Sequence, residues 1–370
     1  MNTLSNQERM ALREAMSRLM REQHNEAHVR KVSETAEGFD KNLWRQLSEM
    51  GITGLMIDEE YGGSGVGPVE LEAIMEEAGS ALLSAPLLAS SVVAAELLRV
   101  LGDADVNKRL LPSLASGEKI VTAVLTGDSG CWTPTGVSLQ AKQSGKSWTL
   151  SGRGNYVLHG QNADVLIVIA TENNECVAFE VDAQAQGISV TPLPTFDRTL
   201  RLASIDFDQV VANKINHTAS VDDAFNSAVT LGLIALAGEQ AGGAKRVLDD
   251  TIEYAKTRVQ FGRAIGSFQA IKHMAADLLL ETESAISAAR DAAAALAEGR
   301  VDVDEAVSLA AFACADAYVK TTADSVQMHG GIAFTWEHPT HLYVRRARAT
   351  AQLFGDSNQH RERYLQTLEA

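Results

Sequence analysis

Two short segments concentrate the residue types that can bind an anionic ligand. The first is YAKTRVQFGRAI (254–265), followed directly by GSFQ (266–269), and the second is QMHGG (327–331). An arginine such as Arg258 suits phosphate because its planar fork donates two parallel, charge-assisted hydrogen bonds. A lone arginine near a helix end is more often a surface residue favoured by the helix dipole. Arg258 is therefore a candidate because of the segment around it.

A third chemically capable residue is Glu239, which interrupts the apolar run ALAGEQAGGA (235–244). A carboxylate among small residues on a buried helix is unfavourable unless it is paired or functional. We weigh two interpretations. Either Glu239 pairs with a neighbouring arginine or lysine, such as Arg246 or Lys245, or it serves in proton transfer.

The composition excludes several classes of protein. Acidic residues outnumber basic ones by 48 to 32, which gives a net charge of −16. Such a chain repels nucleic acid and anionic membranes, so neither is an expected partner. The three cysteines form no CxxC pair, and the first twenty residues lack the apolar core of a signal peptide. We expect a cytoplasmic protein.

Hydrophobic periodicity predicts an α, then β, then α order. Helical spacing runs through residues 1–117, beginning with a Ser5-x-x-Glu8 capping box. Residues 118–215 contain short β-type runs such as DVLIVIA (164–170), with no helical pattern between them. Successive strands without intervening helices predict an antiparallel β-barrel rather than a doubly wound sheet. The nearest dinucleotide fingerprint, GGSGVG (62–67), also lacks the strand-to-helix context of a Rossmann fold.

The helical period returns in residues 216–370 and predicts a four-helix bundle. The first helix spans Asp222–Arg258 with a weak point at Gly242–Gly243, and the second begins near Phe268. The third covers Glu305–Met328, and a short fourth lies near Thr350–Leu368. The predicted domains are thus an N-terminal α-helical domain, a middle β-barrel and a C-terminal bundle.

The two segments at 254–269 and 327–331, in this α-β-α order, resemble the acyl-CoA dehydrogenase family. The segment LWRQLSEMGITGLMIDEEYGGSG (43–65) is similar to the family's N-terminal domain, so the resemblance covers nearly the whole chain. It implies FAD-dependent oxidation of an acyl-CoA thioester to the 2,3-enoyl-CoA, in lipid or fatty acid catabolism. It also implies electron transfer to an electron-transfer flavoprotein and assembly as a dimer of dimers.

The resemblance assigns cofactor-binding roles residue by residue. Arg258 and Gln260 are expected to reach the FAD pyrophosphate of a neighbouring subunit, while Phe261 packs on the cofactor. Gln269 and the Gln327–Gly331 loop, with Gly330 and Gly331, are expected at the adenosine half. In the β-domain, Thr126 keeps a hydroxyl for the flavin's pyrimidine edge although the family's following Glu-Pro is missing. Tyr156 keeps an aromatic platform for the flavin, whereas Leu158 replaces a hydrogen-bonding threonine.

The sequence departs most from the family at the catalytic base. Phe354 in LFGDS (353–357) occupies the position of the usual glutamate before a glycine, and a second known location aligns with Gly232. Glu239, two turns further along the same helix, is the best replacement, and Asp356 is a further option. The backbone N–H of Phe354 is still expected to hold the thioester oxygen.

Three functions remain open on these residues. The first is an acyl-CoA dehydrogenase with its base relocated to Glu239, assembled as a homotetramer. The second is a flavin oxidase or monooxygenase on the same fold. The third is a non-catalytic partner subunit of an α2β2 heterotetramer, in which another chain carries the base. The departures at Tyr156, Leu158 and Phe354 hint at a branched, cyclic or aromatic acyl group.

Overall fold

The protein, seen in a computed structural model that describes residues 4–145 and 147–369, follows the helix, strand, helix order expected from the sequence. The α-helices are α1 (Asn6–Gln23), α2 (Glu26–Ser33), α3 (Lys41–Glu49), α4 (Pro68–Ser80), α5 (Ala95–Leu101), α6 (Ala104–Ala115), α7 (Val221–Thr257), α8 (Gln269–Glu298), α9 (Val303–His329), α10 (Thr340–Thr350) and α11 (Ser357–Glu369). The strands are β1 (Val121–Val124), β2 (Gln140–Ser144), β3 (Ser147–Leu158), β4 (Val165–Glu172), β5 (Glu175–Asp182), β6 (Ile188–Pro192), β7 (Leu202–Lys214), β8 (Val259–Gln260) and β9 (Arg263–Ala264). A π-helical stretch, Leu87–Ala94, leads directly into α5.

Packing divides the described chain into two compact units. The first unit contains residues 31–67 and 84–232, and the second contains residues 4–30, 68–83 and 233–369. The three sequence domains, with boundaries near residues 117 and 215, stay a prediction. The two compact units are a different kind of division, since each combines segments that are distant in sequence.

The first unit is built on a seven-stranded sheet whose strands β4, β5, β7, β3 and β2 pair in a closed ring. Alternate strand residues, including Leu150, Leu166, Phe179 and Ile205, fill its interior. The sheet differs from a purely antiparallel barrel because β4 runs parallel to both β1 and β2. Parallel neighbours need a long crossover, and the β2–β3 hairpin supplies the one between β1 and β4.

The long helix α7 continues unbroken through Gly242 and Gly243, where the sequence predicted a weak point. A Cβ added at Gly242 would overlap the carbonyl oxygen of Glu76 on α4. A Cβ at Gly243 would lie 2.5 Å from the ring of Tyr318 on α9. The glycines therefore let two helices approach α7 closely, and this packing outweighs their low helix propensity.

The predicted fourth C-terminal helix is wrong in its bounds, because the chain forms two helices, α10 and α11, with a break between them. At the break, Phe354 has φ +59° and Gly355 has φ +117°. Both values lie in the left-handed region that ends a helix. Asp356 then accepts hydrogen bonds from the backbone N–H groups of Asn358 and Gln359 and caps α11.

Glu72 on α4 is a buried carboxyl without a hydrogen-bond partner at Oε1 among the described residues. Arg13 and Arg290 instead pair with Glu76, one turn further along α4. Burial, and secondly the charge of Glu76, raise the pKa of Glu72 to about 7 from 4.5, although Arg290, Arg13 and Arg9 act against the shift. Folding therefore favours the neutral form of this carboxyl.

We expect Glu72→Gln to stabilise the protein at alkaline pH and to leave it unchanged below pH 4.5. The folded-state pKa is raised, so the contribution of Glu72 to stability is present below 4.5 and is lost as pH rises through 7. The shift corresponds to about 3 kcal/mol at pH 8. Urea unfolding at pH 5 and pH 8 measures it, with exposed Glu283→Gln as control. An equal effect of Glu72→Gln at both pH values would contradict this assignment.

Candidate functional site

Three helix ends meet at one end of the helical bundle in the second unit. Helices α7, α8 and α9 alternate in direction, so the end of α7, the start of α8 and the end of α9 lie together. Met328 near the end of α9 packs with Leu248 of α7 and Leu278 of α8. The rings of Tyr254 and His329 lie 4.4 Å apart between centroids. The structure thus brings together the two segments that the sequence singled out.

A two-stranded hairpin, β8–β9, extends from the end of α7. Val259 pairs with Ala264 and Gln260 with Arg263, which leaves Phe261 and Gly262 as a two-residue turn. Their φ values are +52° and +76°, as a type I′ hairpin turn requires. The Phe261 side chain is 91% exposed, although a phenylalanine normally avoids both this conformation and water. The hairpin therefore presents an aromatic ring for an interaction outside this chain.

The predicted polar residues of this end point into solvent. The side chains of Arg258, Gln260, Gln269 and Gln327 are exposed, and within residues 4–145 and 147–369 none of the four has a hydrogen bond or ion pair. A Cβ at Gly330 or Gly331 would meet nothing within 4 Å. Unused donors, an exposed ring and open glycine backbone suit a ligand that carries both phosphate and a flat aromatic group. These residues fit the predicted role in FAD binding.

Thr126 and Tyr156 lie in the first unit. The Thr126 hydroxyl donates to the carbonyl of Cys131 at 2.8 Å, so only its lone pairs are left to accept a bond from a ligand. Tyr156 sits on β3 with φ +55° and is 40% exposed. A side chain held in this conformation at a strand irregularity is typical of functional sites.

Phe354 is buried at the break between α10 and α11, with 4% exposure. Its left-handed φ of +59° costs about 1–3 kcal/mol in a bulky residue. Its predicted role, in which the backbone N–H holds a thioester oxygen, stays a prediction. Asp356, the further option for a base, uses its carboxylate to cap α11.

Glu239 is buried on α7 and forms an ion pair with a residue that the sequence analysis missed. Arg346 of α10 donates from Nη1 to Glu239 Oε1 at 2.7 Å and from Nη2 to the Leu83 carbonyl at 3.1 Å. The two side chains are 3% and 9% exposed. The expected partners were wrong: Lys245 pairs with Asp249 and Arg246 with Asp250, each four positions further along the helix and therefore one turn away. The sequence signal was the RRAR run (345–348), which places three arginines on one short helical segment.

Comparison with known proteins agrees with this geometry. The family model of the acyl-CoA dehydrogenase N-terminal domain matches residues 6–118, and that of the C-terminal domain matches residues 223–368. Acyl-CoA dehydrogenase IpdE2 of Mycolicibacterium smegmatis is 34% identical over 350 residues, which cover 94% of this chain and 95% of that protein. The ChsE4-ChsE5 complex from Mycobacterium tuberculosis contains a chain with TM-score 0.90 and 28% identity, covering 100% of this chain and 99% of that one. A variant of the Tcur3481-Tcur3483 steroid ACAD gives TM-score 0.88 and 27% identity, with 98% of each chain covered.

The chain belongs to the acyl-CoA dehydrogenase family. The enzymes of this family are FAD-dependent oxidoreductases, so the predicted fold, enzyme class and cofactor are confirmed at that level. Of the helices in the described residues, none combines the length and apolar character needed to cross a bilayer.

The Glu239–Arg346 pair predicts a strong energetic coupling. Glu239→Gln or Arg346→Met alone leaves one buried charge unpaired and should destabilise the protein by about 3–5 kcal/mol. The double variant has no buried charge here, so we expect it to lose much less than the sum of the two. Urea unfolding of the four proteins measures the coupling.

The exposed pair Lys245–Asp249, with side chains 38% and 52% exposed, provides a matched double-mutant cycle as the control. We expect about 0.5 kcal/mol of coupling there. Additive effects of the Glu239 and Arg346 substitutions would show that the two side chains are not paired in solution.

Proposed function

We propose that this chain takes part in the FAD-dependent oxidation of an acyl-CoA thioester to the 2,3-enoyl-CoA, with a carboxylate removing the α-proton. The observation that carries the proposal is the set of unpartnered exposed donors around Arg258, beside the exposed ring of Phe261. FAD, when bound, accepts the hydride that leaves the β-carbon. An electron-transfer flavoprotein is the proposed electron acceptor, and rapid reoxidation of the reduced flavin in air would favour an oxidase instead.

The proposed cofactor-binding residues would contact different parts of FAD. Arg258 and Gln260 would donate hydrogen bonds to the pyrophosphate, and Phe261 would pack on the cofactor. Gln269, Gln327 and the open backbone at Gly330 and Gly331 would contact the adenosine half. Thr126 and Tyr156 would lie at the flavin ring, where the Thr126 hydroxyl accepts because its proton is already donated to Cys131.

Two residues of this chain would act on the thioester. The backbone N–H of Phe354 would hold the thioester oxygen, and a donor in such a position contributes about 10²–10³ in rate. Glu239 is the proposed base on this chain. Its support is a buried carboxylate that Arg346 holds in one orientation on α7.

A second candidate is that a different chain supplies the base in a heterotetramer. The ion pair favours this candidate because Oε1 of the Glu239 carboxylate is already occupied by the hydrogen bond from the buried Arg346 guanidinium. Two structural neighbours are also named after two components each, the ChsE4-ChsE5 complex and the Tcur3481-Tcur3483 steroid ACAD. The name of the second supports a steroid-derived, cyclic acyl group as the substrate class.

Exposed apolar side chains on the second unit support an oligomer of either kind. Leu280 is 71% exposed on α8, and Phe334 and Trp336 after α9 are 77% and 64% exposed. Apolar groups of this size in water suit a contact with another protein chain. Light scattering of the chain, purified after expression alone and after co-expression with a homologous chain, distinguishes a homotetramer from an α2β2 assembly.

Arg258→Gln should weaken FAD binding without unfolding the protein. Loss of a charge-assisted hydrogen bond costs about 1.5–3 kcal/mol, so we expect a Kd about 10- to 100-fold higher. Titration of the apoprotein with FAD, followed by flavin fluorescence, measures it. Lys256→Gln is the matched control, since Lys256 is exposed at the same helix end and pairs with Glu253. Equal Kd values for the two variants would contradict the role of Arg258.

The variant Glu239→Gln distinguishes a base supplied by this chain from a base supplied by another chain. If Glu239 is the base, substrate bleaching of the flavin should slow by about 10²–10⁴ in this variant. Glu76→Gln controls for the loss of a buried ion pair, since Glu76 is 5% exposed and bonded to Arg13 and Arg290. If another chain carries the base, the isolated wild type stays unbleached and the partner restores bleaching equally to wild type and Glu239→Gln. Stopped-flow absorbance, on samples shown to be folded by circular dichroism, distinguishes these results.

A further inference from the structure

Tyr156 lies in a β-bulge whose backbone conformation must be stabilised by neighbouring residues. Gly154 pairs with Ile205 and Val157 with Ala203, so Asn155 and Tyr156 together face the single residue Ser204. Bulges of this kind redirect a side chain. The φ of +55° at Tyr156 is unfavourable for a tyrosine and persists only if the surrounding structure fixes it.

The residue before Tyr156 is fixed by the loop that follows β1. The Asn155 backbone N–H donates to the Thr126 carbonyl at 2.9 Å, and its side-chain amide donates to Asp128 Oδ1 at 2.5 Å. The loop itself is closed by the bond from the Thr126 hydroxyl to the Cys131 carbonyl. The backbone N–H and the side-chain amide of Asn155 are therefore both hydrogen-bonded to one closed loop, Thr126–Cys131.

The same loop supports the Tyr156 ring. A Cβ added at Gly130 would lie 3.3 Å from Cε2 of Tyr156, closer than most carbon contacts in proteins. Gly130 also has φ +65°, which favours glycine. The ring consequently rests on a position that has no side chain, and a methyl group there would require the ring to shift by a few tenths of an ångström.

We propose that the loop Thr126–Cys131 is a latch that sets the orientation of the Tyr156 ring through Asp128 and Gly130. Both are positioning residues, because they act on the site through Asn155 and Tyr156. The proposal rests on the proposed function, in which Tyr156 is the aromatic neighbour of the flavin. It also gives the missing Glu-Pro after Thr126 a physical replacement, since Asp128 anchors the loop by a different bond.

The first test compares two glycines that have the same backbone geometry. Gly130 and Gly145 have φ +65° and +64°, but a Cβ at Gly145 would meet nothing within 4 Å. Gly130→Ala and Gly145→Ala therefore carry a similar backbone cost, and only the first displaces Tyr156. An electron-rich phenol ring beside a flavin quenches flavin emission. We expect Gly130→Ala to raise the emission of bound FAD and shift its long-wavelength absorption band, and Gly145→Ala to change neither.

The second test removes the anchor. Asp128→Ala should change the same spectra and weaken FAD binding about fivefold, as expected for one hydrogen bond. Asp128→Asn keeps an acceptor oxygen and should restore the wild-type spectra. Tyr156→Leu is the reference for complete loss of the ring.

The outcomes distinguish a failure of the latch proposal from a failure of the proposed function on which it rests. If Tyr156→Leu changes the spectra while Gly130→Ala and Asp128→Ala match Gly145→Ala, the latch is overturned and the flavin assignment stands. If Tyr156→Leu changes nothing although FAD is bound, Tyr156 is not beside the flavin, and the proposal falls together with that assignment. If the wild type binds no FAD, ¹⁹F NMR of fluorotyrosine-labelled protein reads the ring directly. A Tyr156 signal, assigned through Tyr156→Phe, that Gly130→Ala leaves unmoved would then overturn the latch.

Discussion

A diphosphate can be bound only where a protein leaves hydrogen-bond donors unused, and this constraint organises the second unit. Buried donors normally find partners within the protein, whereas exposed donors that bond only to water stay available to a ligand. Here the hairpin after α7 holds Phe261 in a left-handed conformation and in water, beside the side chain of Arg258, which has no hydrogen bond or ion pair among the described residues. The exposed ring of Phe261 and its left-handed backbone are unfavourable for the isolated chain. A bound cofactor would satisfy them.

The interior of the same unit follows the opposite rule, since its charges are paired. Glu239 and Arg346 join the middle of α7 to α10, and the second Arg346 bond reaches the chain just beyond α4. Gly79 of α4 packs directly on the Glu239 carbonyl, so the helices are close enough to exclude water from the pair. The carboxylate that sequence reasoning favours as a base thus also has a structural function. This double use explains why the source of the base has to be decided by experiment.

Local patterns predicted the fold well. The Ser5–Glu8 capping box and the three long C-terminal helices follow from spacing and capping chemistry. The same is true of the residues grouped around Arg258, which two contiguous segments carry. Interactions between distant segments were not predictable in this way. Nothing local pairs Glu239 with Arg346, 107 positions away, or Asn155 with Asp128, 27 positions away. The break at Phe354 was missed because a phenylalanine gives no sign of a left-handed φ.

The most direct test of the account is an experimental structure of the purified assembly with its flavin. The account predicts FAD with its pyrophosphate within hydrogen-bond distance of the Arg258 guanidinium and with Phe261 packed on the cofactor. A structure in which FAD is bound while Arg258 and Phe261 remain in solvent would contradict it.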